Sequence, residues 1–125
     1  MTVAIVLVTH PGIGTAFRQQ AAAILASDLP GLTVVELDSG KSAATGTLRS
    51  QLAALDQGDG VLMLSDLPGA TPCNQACKAA PPHSALLSGL NLPMLIRAWN
   101  YRHRTLEELT ELVAEGGRAA ILEPR

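Results

Sequence analysis

Residues 2–8 read Thr2-Val3-Ala4-Ile5-Val6-Leu7-Val8 and run straight into Thr9-His10-Pro11-Gly12. A short, continuous apolar and β-branched run closed by a Pro-Gly pair predicts a strand buried on both faces. Such a strand needs cover on each side, which is the habit of parallel sheets whose crossovers are helices. Downstream the chain keeps that rhythm. Ile13–Ser27 is rich in alanine with spaced apolar residues and predicts a helix. Pro30-Gly31 breaks the chain, and Leu32–Leu37 (LTVVEL) predicts a second strand. Ser42–Leu55 is helical in composition, with Leu48, Leu52 and Leu55 along one face. Gly60–Ser65 (GVLMLS) predicts a third buried strand.

The second half follows suit. Thr71-Pro72 reads as an N-cap and an N1 proline opening a helix that runs through Ala79. Pro81-Pro82 ends it, a fourth and weaker strand falls within Ser84–Leu90, and Pro93–Tyr101 predicts a helix. Thr105 with Glu108 is a capping box ahead of a stripe of Leu106, Leu109, Leu112 and Val113. Gly116-Gly117 is expected to stop this helix, and Ala119–Leu122 to form a short edge strand. The fold expected is a single α/β domain over residues 1–125. Its sheet is doubly wound and mainly parallel, in order 2-1-3-4 with a short C-terminal edge strand, and helices cover both faces through right-handed crossovers.

Composition narrows the function. With 125 residues, 47% of them hydrophobic, the chain can fill one core. A net charge of -2 argues against a protein that tracks nucleic-acid phosphates. Phe17, Trp99 and Tyr101 are too few and too scattered for a base-stacking platform. No apolar run reaches the roughly 18–20 residues of a membrane span, and no basic leader precedes the first strand, so a cytoplasmic protein is expected. Cys73 and Cys77 share a helical face, but with His83 they match no zinc spacing, so neither a metal nor a cofactor is expected. Arg97, Arg102, His103 and Arg104 form a basic cluster that reads as a solvated face.

Doubly wound sheets bind ligands beyond the carboxyl ends of their strands, where the winding reverses. Here that point falls between the first and third strands. Thr9-His10-Pro11-Gly12 leaves one, and Ser65-Asp66-Leu67-Pro68-Gly69-Ala70-Thr71-Pro72 leaves the other. His10 and Asp66 should therefore emerge side by side. A carboxylate accepting from one ring N–H fixes the histidine tautomer and stabilises the imidazolium, leaving the other nitrogen as a nucleophile. His10 is then a candidate phosphoryl acceptor and Asp66 its orienting partner. Helices beginning near Ile13 and Thr71 offer N-terminal N–H groups for phosphoryl oxygens, and the Thr71 hydroxyl and Asn74 are candidate phosphoryl-binding groups. Gly12-Ile13-Gly14 is not a dinucleotide fingerprint, because Phe17 stands where its last glycine or alanine belongs. Gly40-Lys41-Ser42 is not a P-loop, because residue 35 is valine.

Three stretches carry a family resemblance: the opening AIVLVTH, the segment Asp66–Asn74 and Gly89-Leu90-Asn91-Leu92-Pro93-Met94-Leu95. The last has no generic physical reason to occur. The chain resembles the IIA component of the mannose class of the bacterial sugar phosphotransferase system (PTS) over nearly its whole length. The resemblance implies that His10 is the phosphorylated histidine and Asp66 its hydrogen-bonding partner. It also implies a homodimer that takes phosphoryl groups from HPr and passes them to a IIB component or a regulatory target, in association with a membrane permease. The Asp66 pairing and the resemblance both favour Nε2 as the phosphoryl-bearing nitrogen. Two departures leave sugar specificity open: Gly69-Ala70-Thr71 replaces the usual Gly-Gly-Ser or Gly-Gly-Thr, and Pro11 follows the histidine where the family favours a small residue. A non-catalytic regulatory module on the same fold, or the phosphocarrier subunit of a dihydroxyacetone kinase, are the competing readings.

Overall fold

The computed structural model describes residues 2–38 and 45–124. Its elements alternate as the hydrophobic pattern requires: β1 (Ala4–Thr9), α1 (Ile13–Leu25), β2 (Thr33–Glu36), α2 (Thr45–Ala54), β3 (Val61–Ser65), α3 (Thr71–Lys78), β4 (Ser84–Leu87), α4 (Leu92–Asn100) and α5 (Leu106–Ala119). The expected start of α2 at Ser42 lies outside the described residues. The strands form one sheet in the order β2-β1-β3-β4, and every pairing is parallel. β1 is central, so each of its faces must be apolar. Ile5 and Leu7 join α1, α4 and α5 in one core layer, while Val6 and Val8 join α2 and α3 in the other. This is the strand's period of two, read from its two sides.

The C-terminal edge strand expected over Ala119–Leu122 is not formed. α5 runs through Gly116-Gly117 to Ala119, and residues 120–124 pair with no strand. The two glycines are packing residues rather than a stop. A Cβ on Gly116 would stand 2.7 Å from the Cδ of Arg97, and one on Gly117 would stand 2.5 Å from the Cγ of Met94. They let α5 lie close against α4.

The 89–95 stretch also acquires a physical account. Gly89 takes φ +78°, which side chains resist. The Leu90 N–H donates to the Ser65 carbonyl at 2.9 Å. Asn91 caps α4 by accepting from the Met94 N–H at 3.0 Å, and its amide donates to the Gly117 carbonyl at 3.2 Å. This one seven-residue stretch thus joins the end of β3, the start of α4 and the end of α5. Gly117→Ala is expected to lose about 1–2 kcal/mol, because displacing buried Met94 outweighs the helix propensity gained. Urea unfolding measures this, and a smaller loss in a Met94→Ala background would show the two positions coupled.

The basic cluster separates into different tasks. The Arg97 guanidinium donates to the Leu112 carbonyl at 3.3 Å. Arg102 donates to the Trp99 carbonyl at 2.7 Å and lies 3.8 Å above the Trp99 ring. Arg104, just ahead of α5, pairs with Glu108 of its first turn at 3.5 Å. Arg97 and Arg102 therefore serve packing as much as solvation.

Candidate functional site

The parallel register brings the ends of β1 and β3 together, with Val8 opposite Ser65. The next residues of each chain segment turn toward one another. The His10 Nδ1 lies 2.8 Å from Asp66 Oδ2, and the same oxygen accepts from the His10 backbone N–H at 3.1 Å. Ring and main chain are thus held by one atom. The His10 side chain is 25% exposed while that of Asp66 is 9% exposed, so the carboxylate is the sunken member of the pair. Asp66 Oδ1 is sealed from solvent and has no hydrogen-bond partner among the described residues. Burial pushes the Asp66 pKa up, but the hydrogen bonds from the His10 ring and N–H outweigh it, and the carboxyl titrates below the ordinary aspartate range. The His10 Nε2 makes no hydrogen bond within the described residues, on a side chain that is part-exposed.

Gly12, at φ +84°, turns the chain into α1. The expectation that α1 offers free N–H groups to an anion is corrected here for its first three helical residues, Ile13, Gly14 and Thr15, whose N–H groups are taken by protein acceptors. Ile13 N–H donates to the His10 carbonyl at 3.3 Å and Ala16 N–H to the Gly12 carbonyl at 3.1 Å. Gly14 N–H donates to Thr9 Oγ1 at 2.8 Å, and Thr15 N–H to Glu36 Oε2 at 2.9 Å. Thr9 Oγ1 in turn donates to the His10 carbonyl at 2.9 Å.

α3 is arranged differently. Its N-cap is Ala70 rather than Thr71, so Thr71 occupies the first helical position and Pro72 the second. Alanine has no side-chain acceptor, and this terminus carries no side-chain cap. Thr71 is half-buried there. Asn74 is exposed, and its amide donates to the Gly69 carbonyl at 3.0 Å, which ties the Leu67–Ala70 turn to the helix. Cys73 and Cys77 are free thiols. Among the described residues no group of three or more His, Cys, Asp or Glu side chains could hold a metal ion, and no helix is long and apolar enough to cross a membrane.

A shallow apolar groove of about 280 Å³, lined by Gly12, Ile13, Ala16, Phe17, Gln20 and Leu92, adjoins the His10 loop. On the Asp66 side, Leu67 is 55% exposed. A larger cavity, about 320 Å³ around Thr2, Pro30, Gly31 and Arg102, opens at the opposite end of the strands. Sequence reasoning missed Thr9 and Glu36. Each is a polar residue closing a strand, and that placement was the available signal.

A family model described as PTS system fructose IIA component matches residues 4–115. The chain belongs to the mannose-class IIA family of the phosphotransferase system. It is 33% identical to the PTS system mannose-specific EIIAB component of Escherichia coli K12 across 97% of its own length, and it spans 39% of that relative. It resembles the mannose/sorbose specific IIA subunit of Enterococcus faecalis at a TM-score of 0.81 and 25% identity, covering 100% of this chain and 96% of that one. A phosphotransferase component EIIA from Streptococcus agalactiae shares the fold at a TM-score of 0.79 and 23% identity, over 97% of this chain and 96% of its own.

Proposed function

We propose that the chain is a phosphocarrier in which His10 Nε2 accepts a phosphoryl group from the phosphohistidine of HPr and passes it to a IIB component. The observation that carries this reading is the 2.8 Å contact between His10 Nδ1 and Asp66 Oδ2. It fixes the proton on Nδ1 and leaves the Nε2 lone pair outward, and it supplies a negative charge to stabilise the cation that attack creates. As the Nε2–P bond forms, the bond from phosphorus to the donor's histidine nitrogen breaks, and that ring, protonated on its other nitrogen, leaves as neutral imidazole while His10 takes up the positive charge. The return step mirrors it, with the acceptor's nucleophile in the attacking place. Thr71 and Asn74 serve as phosphoryl-side residues in this reading: Thr71 opens the uncapped α3 terminus, and Asn74 holds the turn that leads into it.

The donor and acceptor are proteins in this account, because the groove beside Gly12 is apolar and shallow while Leu67 stands exposed on the other flank. On this reading the carrier works in the cytoplasm beside HPr. Incubation with phosphoenolpyruvate, enzyme I and HPr is expected to label His10 with an acid-labile, base-stable phosphoryl group. Absence of label on the folded chain with a cognate HPr would overturn the proposal.

Self-association belongs to the same reading. Among the described residues no strand pairs with the outer edge of β4, and Ile121 and Leu122 beyond α5 are 83% and 65% exposed. Sedimentation equilibrium is expected to give twice the chain mass, and Ile121→Glu to lower it; a monomer in the native chain would exclude the dimer.

A further inference from the structure

We propose that Glu36 is the resident anion of the α1 N-terminus, a specificity-determining residue that keeps free phosphate out of the His10 rim. It rests on the reading of that rim as a phosphoryl site. Glu36 ends β2 directly opposite Thr9, the residue before His10. Its Oε2 accepts from the Thr15 N–H at 2.9 Å and from the Thr15 hydroxyl at 2.8 Å. These bonds, with the nearby Gly12 N–H adding to them, hold its pKa below the ordinary glutamate range, so the carboxylate stays charged at neutral pH.

Helix N-termini attract anions through their dipole and unpaired donors. In α1 a side chain of the protein already fills that role, with Thr9 Oγ1 occupying the neighbouring donor. Gly14 makes the arrangement fit, since a Cβ there would stand 2.9 Å from Thr9 Oγ1 and 2.7 Å from a Val34 methyl. The α3 terminus, entered from Ala70, has no side-chain cap of this kind. The two termini beside His10 are therefore unequal. One is filled by a fixed negative charge and the other is not. A small dianion drifting in from solvent meets a fixed negative charge at α1 and finds the Ile13, Gly14 and Thr15 donors taken. A phosphoryl group delivered on a docked protein is brought to the ring by contacts that free phosphate does not have, and it is turned toward α3.

The test is titration with inorganic phosphate at neutral pH, read by amide chemical shifts of Gly12, Gly14 and Thr15. Glu36→Gln keeps an acceptor for Thr15 and removes only the charge. Glu36→Ala also frees the Thr15 donors. Both variants are expected to bind phosphate at these amides at least about tenfold more tightly than the native chain, the scale of one unit charge a few ångströms away near a protein surface. Thermal melts establish that each variant is folded. An unchanged phosphate response in both, or tight phosphate binding at these amides in the native chain, would overturn the proposal. The titration needs no phosphoryl transfer, so failure of the native chain to accept a phosphoryl group from HPr is a separate result that bears on the carrier reading alone.

Discussion

His10→Ala is expected to abolish phosphoryl uptake from phosphorylated HPr while leaving the fold intact. The reaction needs a covalent acceptor, and no second histidine stands at the rim. His83 and His103 are both exposed, with His83 just before β4 and His103 in the turn between α4 and α5. The fold should survive because Asp66 Oδ2 keeps the backbone N–H of residue 10, which belongs to the main chain and not to the imidazole. The measurement is radiolabel retained after denaturation, with peptide mapping of the site. Undiminished label in the variant would remove His10 from the mechanism.

Asp66→Asn is expected to slow transfer roughly a hundred- to ten-thousandfold, the scale seen when the carboxylate behind a catalytic histidine is made neutral. The asparagine is nearly isosteric and can still accept from the main chain. It cannot stabilise an imidazolium, and its amide can donate to Nδ1, which moves the ring proton to Nε2 and blanks the nucleophile. Rapid-quench transfer rates with native and variant chains measure this; equal rates would reject the orienting role. The same variant should alter acid unfolding. The folded Asp66 pKa is lowered, so its stabilisation is complete above the unfolded aspartate range near about pH 4 and is lost as pH falls through the lower folded value. Below about pH 4 the native chain should therefore lose stability more steeply than Asp66→Asn.

The sheet was legible because β1 and β3 are apolar on both faces, a pattern that depends on neighbours along the chain alone. The topological rule for parallel sheets then carried His10 and Asp66 to one rim, and their contact follows from Val8 lying opposite Ser65. What failed to show was whatever depends on a partner distant in sequence. Gly116-Gly117 looks like a helix stop until Arg97 and Met94 are seen beneath it. Ala119–Leu122 has strand-like composition, but α5 continues into it instead of turning back. The cap of α3 moved by one residue because Ala70, with ψ 168°, is extended while Thr71 is already helical. Glu36 escaped because its meaning lies in α1, which it reaches only across the β1–β2 pairing.

Asp66 holds both the His10 ring and the His10 main chain through a single oxygen, and this has a kinetic consequence on the proposed reading. The imidazole has no arm on which to swing from one client to the next. Its single outward nitrogen must meet the donor and the acceptor at the same address and from the same direction. The two clients are then mutually exclusive, and turnover is ping-pong: the first must depart before the second arrives. Spent donor in excess becomes an inhibitor merely by lingering, so the ratio of charged to spent donor governs the flow.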